Sequence, residues 1–166
     1  VKVSSNPFLE LDFGGKVLKT KLVGAYNAAN VLAALALARY FDVPEEDAFT
    51  AIEAYTPSNS RSQLLETGRN TVIVDAYNAN PSSMAVAVEN LKAMKGRKVA
   101  ILGDMRELGA DAAAEHDALV RSLDGIEALL AGEEFKKAAA GKFRCFGSSS
   151  EIADYLAANP LEGCTI

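Results

Sequence analysis

The stretch Thr71-Val72-Ile73-Val74-Asp75 decides the fold, because it is a short β-branched run that ends in an acid. A run of this length and composition predicts a β-strand. The segment at residues 98–102, KVAIL, has the same character and is followed by Gly103-Asp104. Between the two runs, Asn80-Pro81 predicts the start of a helix. One face of that helix is apolar, at Met84, Ala87, Val88 and Leu91.

The alternation of strand and helix continues to the end of the chain. A helix from about Ala112 carries an apolar stripe, and residues 126–130 and 143–146 predict two further strands with a helix between them. Ser148 and Glu151 have capping-box spacing at the start of another helix. Strands separated by helices predict an α/β domain with a doubly wound, mainly parallel, Rossmann-like sheet. Residues 164–166 resemble the beginning of one more strand, which we expect to be truncated.

The first third of the chain has a different pattern. Residues 8–22 predict a β-hairpin, in which apolar and acidic residues alternate before the turn at Gly14-Gly15. Residues 27–41 are rich in Ala and Leu on most faces, which predicts a buried helix. A second helix is predicted from Pro44, with three acids in its first turn. The polar stretch at residues 56–60 predicts a linker between two domains.

The composition excludes several classes of function. The net charge of -5 and the pI of about 5.0 argue against a nucleic-acid partner, because phosphates attract basic surfaces. The longest apolar run, residues 31–38, is too short to span a membrane. Two cysteines and one histidine are too few for a zinc site and fit a cytoplasmic protein. Neither GxxxxGK[ST] nor GxGxxG, the glycine-rich phosphate loops, occurs.

Two acids are the first candidates for a binding site. Asp75 and Asp104 each follow a predicted strand, and ligands of parallel sheets bind beyond the carboxyl ends of the strands. If the two strands are neighbours, both carboxylates face one crevice. The alternative is that each acid only caps a loop or the next helix, as Asp often does. For the pair, the two interpretations have similar weight.

Other polar residues extend this candidate site. Asn78 offers donors and acceptors to a polar ligand, whereas Asn80 is also placed to cap the helix at Pro81. Arg61 could reach phosphate oxygens or could be a solvated linker residue. His116 shares its stripe with Leu119, Val120 and Leu123, and such a histidine is more often a hydrogen-bonded core residue than a catalyst. Asn27 and Asn30 lie on one face of an apolar helix, where amides need partners from the protein or from a ligand.

Several of these segments together resemble a known family. They are GAYNAAN at residues 24–30, NSRSQ at 59–63, DAYNANPSSM at 75–84 and ILGDMRELG at 101–109, with His116 downstream. In this order they resemble the Mur ligases over nearly the whole chain. The resemblance implies that residues 1–58 are the end of a central ATP-binding domain. It also implies a linker at residues 59–62 and a C-terminal domain at residues 63–166.

The resemblance also implies a function for a longer parent protein. The loop at residues 77–80 is most similar to that of the ligase that joins D-alanyl-D-alanine to UDP-N-acetylmuramoyl-tripeptide, with ATP and Mg²⁺, in peptidoglycan biosynthesis. That reaction passes through an acyl phosphate. The family's phosphate loop and magnesium-binding acids would lie before Val1, so this chain alone should be inactive and should hold no metal. We expect a monomeric, cytoplasmic enzyme without a membrane span.

Individual positions receive roles by the same resemblance. Asn27 and Asn30 would lie near the adenine of ATP, Arg61 would reach its ribose or terminal phosphate, and Asp75 would bind the ribose hydroxyls. The incoming-dipeptide side would be lined or supported by Asn78, Asn80, Asp104 and His116. Tyr26 departs from the family pattern, which commonly has a histidine there, so any role for an imidazole at that position is in doubt.

Two alternatives remain at this stage. The first is a sister ligase, such as folylpolyglutamate synthetase or another Mur enzyme with a different amino acid. The second is a nucleotide- or peptide-binding module without catalysis, which the missing phosphate loop would favour if the chain were complete.

Overall fold

A computed structural model describes residues 1–58 and 60–166 in two compact units, Val1–Leu64 and Leu65–Ile166. Asn59, where the predicted linker begins, lies outside the described residues. The first unit contains an antiparallel three-stranded sheet and two helices. The second contains a mostly parallel six-stranded sheet flanked by helices, which confirms the predicted fold class.

The sheet of the first unit contains the predicted hairpin. Its strands β1 (Lys2–Ser5), β2 (Phe8–Asp12) and β3 (Val17–Val23) pair in sequence order. Gly14 and Gly15 both have positive φ, at 84° and 110°, as a two-residue hairpin turn requires. The N–H of Gly15 donates to the Asp12 carboxylate at 2.7 Å, which stabilises the turn. β1 is a strand that the sequence pattern did not reveal.

The helices of this unit are α1 (Asn27–Tyr40) and α2 (Glu45–Ala54). They begin where the sequence predicts, and α1 packs against α2 and β2. The expectation that α1 is buried is wrong, since Leu37 is 60%, Tyr40 79% and the following Phe41 70% exposed. Among the described elements of this unit, only one side of α1 has a neighbour. Uniform apolar composition did not show which side that is.

From Thr71 onward, the second unit alternates strands and helices as predicted. The strand at Gln63–Glu66, which begins just before the unit does, was not predicted from the sequence. The elements are β4 (Gln63–Glu66), β5 (Thr71–Val74), α3 (Pro81–Ala93), β6 (Arg97–Gly103), a 3-10 turn (Gly109–Asp111), α4 (Ala112–Ser122), β7 (Glu127–Ala131), α5 (Glu133–Ala139), β8 (Arg144–Phe146), α6 (Ser149–Ala158) and β9 (Cys164–Thr165). The strand order is β4-β5-β9-β6-β7-β8. β4 and β5 form a hairpin, closed by the Thr67 N–H on the Asn70 carbonyl at 3.0 Å.

The strand order corrects one prediction. β5 and β6 are not adjacent, because β9 lies between them and pairs in parallel with both. The connection through α3 therefore leads from β5 to a strand two positions away in the sheet, and β9 occupies the position between them. Alternation of strands and helices predicts a parallel sheet, but it does not say which strands become neighbours. The strand predicted at residues 164–166 is confirmed.

Both faces of the sheet are covered at β7. Ala128 and Leu130 of β7 belong to a large buried cluster with α3, α4 and α5. Leu129 and Ala131 of the same strand pack with Ile152 of α6 on the other face. A strand buried on both faces is apolar at every position, which explains the short continuous apolar runs in the sequence.

Asn70 fastens the short β9 to the sheet. Its side-chain N–H donates to the Leu161 carbonyl at 2.6 Å, and its Oδ1 accepts from the Cys164 N–H at 3.1 Å and thiol at 3.2 Å. Burial raises the pKa of the Cys164 thiol, so this group stays protonated and can donate. A two-residue strand makes few ladder bonds, so these side-chain bonds contribute much of its attachment.

We predict that Asn70→Ala lowers the free energy of unfolding of the second unit by about 1–3 kcal/mol, because it leaves partly buried backbone groups without partners. Urea denaturation followed by circular dichroism measures the change. The control is Asn159→Ala at the exposed end of α6, whose side-chain N–H donates to the Tyr155 carbonyl. That change should stay within about 0.5 kcal/mol. Equal losses in the two variants would contradict the role of Asn70.

Candidate functional site

The carboxyl ends of β5 and β6 bring two candidate acids to one edge of the sheet. Asp75 follows the last residue of β5 and Asp104 follows the last residue of β6. Both strands run parallel to β9, so both acids lie at the same edge although their strands are not neighbours. We call residues 75–80 the β5 loop and residues 104–109 the β6 loop. The shared edge is confirmed, and the direct adjacency is wrong.

Asp104 has a structural role at this edge. Its Oδ1 accepts the backbone N–H of Phe135 at 2.9 Å, and its Oδ2 accepts that of Glu134 at 3.1 Å. These are donors in the first turn of α5, which have no partner within the helix. The residue at the N-cap position is Gly132, which has no side chain to accept them. Asp104 therefore caps α5 from a different strand. The capping alternative for this acid is confirmed as to its role, but the capped helix is α5 and not α4, the next helix along the chain.

Gly132 makes room for this carboxylate. A Cβ built on Gly132 would lie 2.1 Å from both Cγ and Oδ2 of Asp104, and the glycine has φ of 121°. The backbone N–H of Asp104 donates to the Ala131 carbonyl at 2.9 Å, which holds the start of the β6 loop against the end of β7. Gly132 was not among the residues predicted from the sequence. The available signal was a glycine between an apolar strand and the acids Glu133-Glu134, which is typical of a tight turn into a helix.

His116 is a buried, fully hydrogen-bonded residue. Its side chain is 0% exposed, and its ring stands edge-on to that of Phe135 at 4.8 Å between centroids. The Met105 N–H donates to Nε2 at 3.0 Å, and Nδ1 lies 2.7 Å from the Ala112 carbonyl. The core interpretation of this histidine is confirmed. His116 does not line the sheet edge itself; it supports the β6 loop.

The β5 loop contains the exposed candidates. Asn80 caps α3: its Oδ1 accepts the Ser83 N–H at 2.9 Å, and its own N–H donates to the Ser83 hydroxyl at 3.3 Å. Asn78 accepts the Ala79 N–H at 2.9 Å and is exposed, as is Asp75. At the start of α3, the Ser83 N–H is therefore satisfied by Asn80.

The candidates of the first unit lie at its helix start and at its C-terminal end. Asn27 is buried; its side-chain N–H donates to the Val23 carbonyl at 2.9 Å, and its Oδ1 accepts from the Asn30 amide at 3.0 Å. These amides thus have protein partners, one of the two alternatives left open. The Tyr26 hydroxyl is hydrogen-bonded to that of Ser62, next to the exposed Arg61.

Charged pairs in the second unit are located at exposed positions. A hydrogen bond to Lys137, at 2.7 Å, lowers the pKa of the Glu134 carboxyl in the first turn of α5 and raises that of the lysine. At the first residues of β6 and β7, a hydrogen bond to Glu127 raises the pKa of Arg97. That pair lies at the amino edge of the sheet, opposite Asp75 and Asp104.

Within residues 1–58 and 60–166, no group of three or more His, Cys, Asp or Glu side chains is arranged to hold a metal ion. In the same residues, no helix combines the length and the apolar character needed to cross a bilayer.

Comparison with known proteins places the chain in a family. The family described as "Mur ligase, glutamate ligase domain" matches residues 60–158. The chain belongs to the Mur ligase family. Its β5 and β6 loops, which carry the polar residues of the carboxyl edge, both lie inside the matched region.

Individual relatives are similar over most of the chain. A UDP-N-acetylmuramoyl-tripeptide–D-alanyl-D-alanine ligase from Treponema pallidum is 36% identical over 132 residues, 76% of this chain and 28% of the relative. A crystal structure of MurF from Acinetobacter baumannii has a TM-score of 0.85 at 24% identity, covering 99% of this chain and 40% of that one. A MurF ligase from Thermotoga maritima, solved in complex with ADP, has a TM-score of 0.77 at 21% identity. The match covers 95% of this chain and 38% of that one. The chain therefore spans less than a third of the curated relative's length.

The cap on α5 predicts the cost of a methyl group at Gly132. Gly132→Ala introduces both a positive-φ alanine and a collision with Asp104. Gly125→Ala is the matched control, because Gly125 has φ of 78° and its Cβ would meet nothing within 4 Å. Gly125→Ala should cost roughly 1–2 kcal/mol. Gly132→Ala should cost about 1–2 kcal/mol more for the displaced cap, the usual value of an N-cap. Its φ of 121° and ψ of 163°, a backbone region almost restricted to glycine, add strain that Gly125→Ala does not reproduce. Thermal and urea denaturation measure both.

A double substitution at Gly132 and Asp104 tests whether the lost cap causes the extra cost. If the extra cost comes from the displaced Asp104 carboxylate, it should disappear when Gly132→Ala is made in an Asp104→Ala background. An extra cost that persists there would show that the backbone of Gly132, and not the cap, is responsible.

Proposed function

We propose that this chain is part of an ATP-dependent ligase that joins D-alanyl-D-alanine to UDP-N-acetylmuramoyl-tripeptide in peptidoglycan biosynthesis. The observation that carries the proposal is the 36% identity to a ligase of that name, over 76% of the chain. A match over 28% of the relative's length supports a role within a larger enzyme. The ADP complex of the Thermotoga maritima MurF supports the use of ATP.

The proposal includes a division into domains. Residues 1–58 form the end of a central ATP-binding domain, residues 59–62 a linker, and residues 63–166 most of a C-terminal domain. The two compact units Val1–Leu64 and Leu65–Ile166 support a boundary in this region. We also propose that the parent enzyme is monomeric and cytoplasmic and binds no nucleic acid.

In the reaction, ATP supplies the phosphoryl group that activates the terminal carboxylate of the tripeptide, and the amine of the dipeptide then displaces phosphate to form the amide. The exposed Asp75 carboxylate would accept hydrogen bonds from the ribose hydroxyls. Within the first unit, Asn27 and Asn30 would lie near the adenine. The Asn27 side chain already has partners at both its donor and acceptor ends, which fixes its orientation. Arg61 would reach the ribose or the terminal phosphate.

The dipeptide side of the site is assigned to the carboxyl edge of the second unit. Asn78 is exposed there and offers an amide to the peptide. Asn80, Asp104 and His116 would act indirectly, because their hydrogen bonds hold the β5 and β6 loops. The described residues provide no acidic cluster that could hold Mg²⁺.

The first prediction from this proposal concerns Asp75 in a full-length protein that contains this chain. Asp75→Asn keeps the shape of the side chain but removes its charge, so charge-assisted bonds to the ribose are lost. The KM for ATP should rise by at least about tenfold, with little change in the melting temperature. The control is Asp154→Asn on the exposed face of α6, which should leave the KM unchanged. A lower melting temperature with a normal KM for ATP would instead assign Asp75 a structural role.

The second prediction concerns the 166-residue chain itself. Without a glycine-rich cradle of backbone N–H groups for the phosphates, it should bind ATP only weakly and should not hydrolyse it. Calorimetric titration with ATP and magnesium tests the affinity, and phosphate release tests the hydrolysis. Micromolar binding by this chain would show that the nucleotide site is misplaced.

A further inference from the structure

The β6 loop is held at its start, and near its end Leu108 packs against the large buried cluster. Asp104 caps α5 at its start, and Met105, only 3% exposed, is buried in the large cluster of this unit. Glu107, between the buried Met105 and the 3-10 turn, has a positive φ of 64°, and Gly109, the first residue of that turn, has one of 56°. A non-glycine residue in the left-handed region persists only where its surroundings impose it. The path of the loop is therefore set by the contacts of its ends.

The hydrogen bond between Met105 and His116 requires one particular tautomer of the histidine. A backbone N–H can only donate, so Nε2, which accepts from Met105, must carry no proton. Nδ1 faces the Ala112 carbonyl, which can only accept, so Nδ1 must carry one. Two backbone groups thus select the neutral Nδ1–H tautomer. Asp104 Oδ1 lies 3.6 Å from Nε2, beyond hydrogen-bond distance, and it is engaged with Phe135.

The β6 loop is also connected to the β5 loop. Ala79 of the β5 loop and Leu108 of the β6 loop pack against the same buried cluster that contains Met105. A shift of Met105 would therefore change the surface on which both loops rest, because close-packed cores transmit displacements.

We propose that His116 is a positioning residue for the dipeptide side of the site. Its unprotonated Nε2 fixes Met105, and Met105 keeps the β5 and β6 loops in one arrangement at the carboxyl edge. The loop-holding step stands on the geometry alone, whereas the step to the dipeptide rests on the proposed function. The competing explanation is that His116 only fills volume beside Phe135.

Two substitutions separate these explanations, because each keeps one of the two hydrogen bonds. His116→Gln can place a side-chain oxygen where Nε2 lies and accept from Met105. His116→Asn is too short to do so, but it can still donate to the Ala112 carbonyl one helical turn earlier. Both replace the ring by a smaller amide, so a role in filling volume predicts similar losses in the two variants.

The first experiment uses the 166-residue chain and needs no ligase activity. In the unmodified protein, ¹⁵N spectra of the imidazole should show a protonated Nδ1 and an unprotonated Nε2. In His116→Asn, the Met105 amide should exchange with solvent about tenfold faster or more, relative to the Leu130 amide in β7. In His116→Gln it should stay within about threefold of the unmodified protein. The opposite tautomer, or equal exchange in both variants, would overturn the proposal.

The second experiment uses a full-length protein that contains this chain. His116→Asn should raise the KM for the dipeptide by about fivefold or more and leave the KM for ATP within about twofold. In the separate variant His116→Gln, the KM for the dipeptide should stay close to that of the unmodified protein. Equal effects on both KM values in both variants would reduce His116 to a structural residue. Absence of ligase activity in the unmodified full-length protein would count against the proposed function and leave the first experiment's result intact.

Discussion

The hydrogen bonds from the first turn of α5 to Asp104 are the constraint on which the carboxyl edge of the second unit depends. They connect the end of β6 to the helix that follows β7, and they are possible only because Gly132 leaves space for the carboxylate. A side chain at the N-cap position would normally satisfy these donors from within the same segment. Here the cap comes from a neighbouring strand, so strand pairing and helix capping stabilise each other.

This arrangement divides the polar residues of the edge into two groups. Asp104, His116 and Asn80 direct their side-chain hydrogen bonds to backbone groups and thereby fix two loops. Asp75 and Asn78 are exposed at the same edge. A site that must orient substrates needs both kinds of residue, because a ligand-binding group is only as well placed as the backbone that carries it.

The sequence predicted the type of nearly every element, because β-branched runs, apolar stripes and caps are local signals. It also predicted that Asp75 and Asp104 share an edge, since parallel strands direct their carboxyl ends the same way. It did not predict that β9 separates β5 from β6, because strand neighbours depend on where the crossovers lead. The exposed side of α1 was missed for a related reason, as an evenly apolar helix carries no signal of which side is covered.

The two acids show why residue type alone did not decide their roles. Asp75 and Asp104 occupy equivalent positions after parallel strands, and both capping and ligand binding suit an aspartate there. What separates them is the helix that each could cap. α3 begins with Asn80, which supplies its own cap, whereas α5 begins with Gly132, which cannot. The identity of the N-cap residue on the neighbouring helix is readable in the sequence. The glycine N-cap of α5 is therefore completed by the acid at the end of the adjacent β6, whereas α3 carries its own asparagine cap.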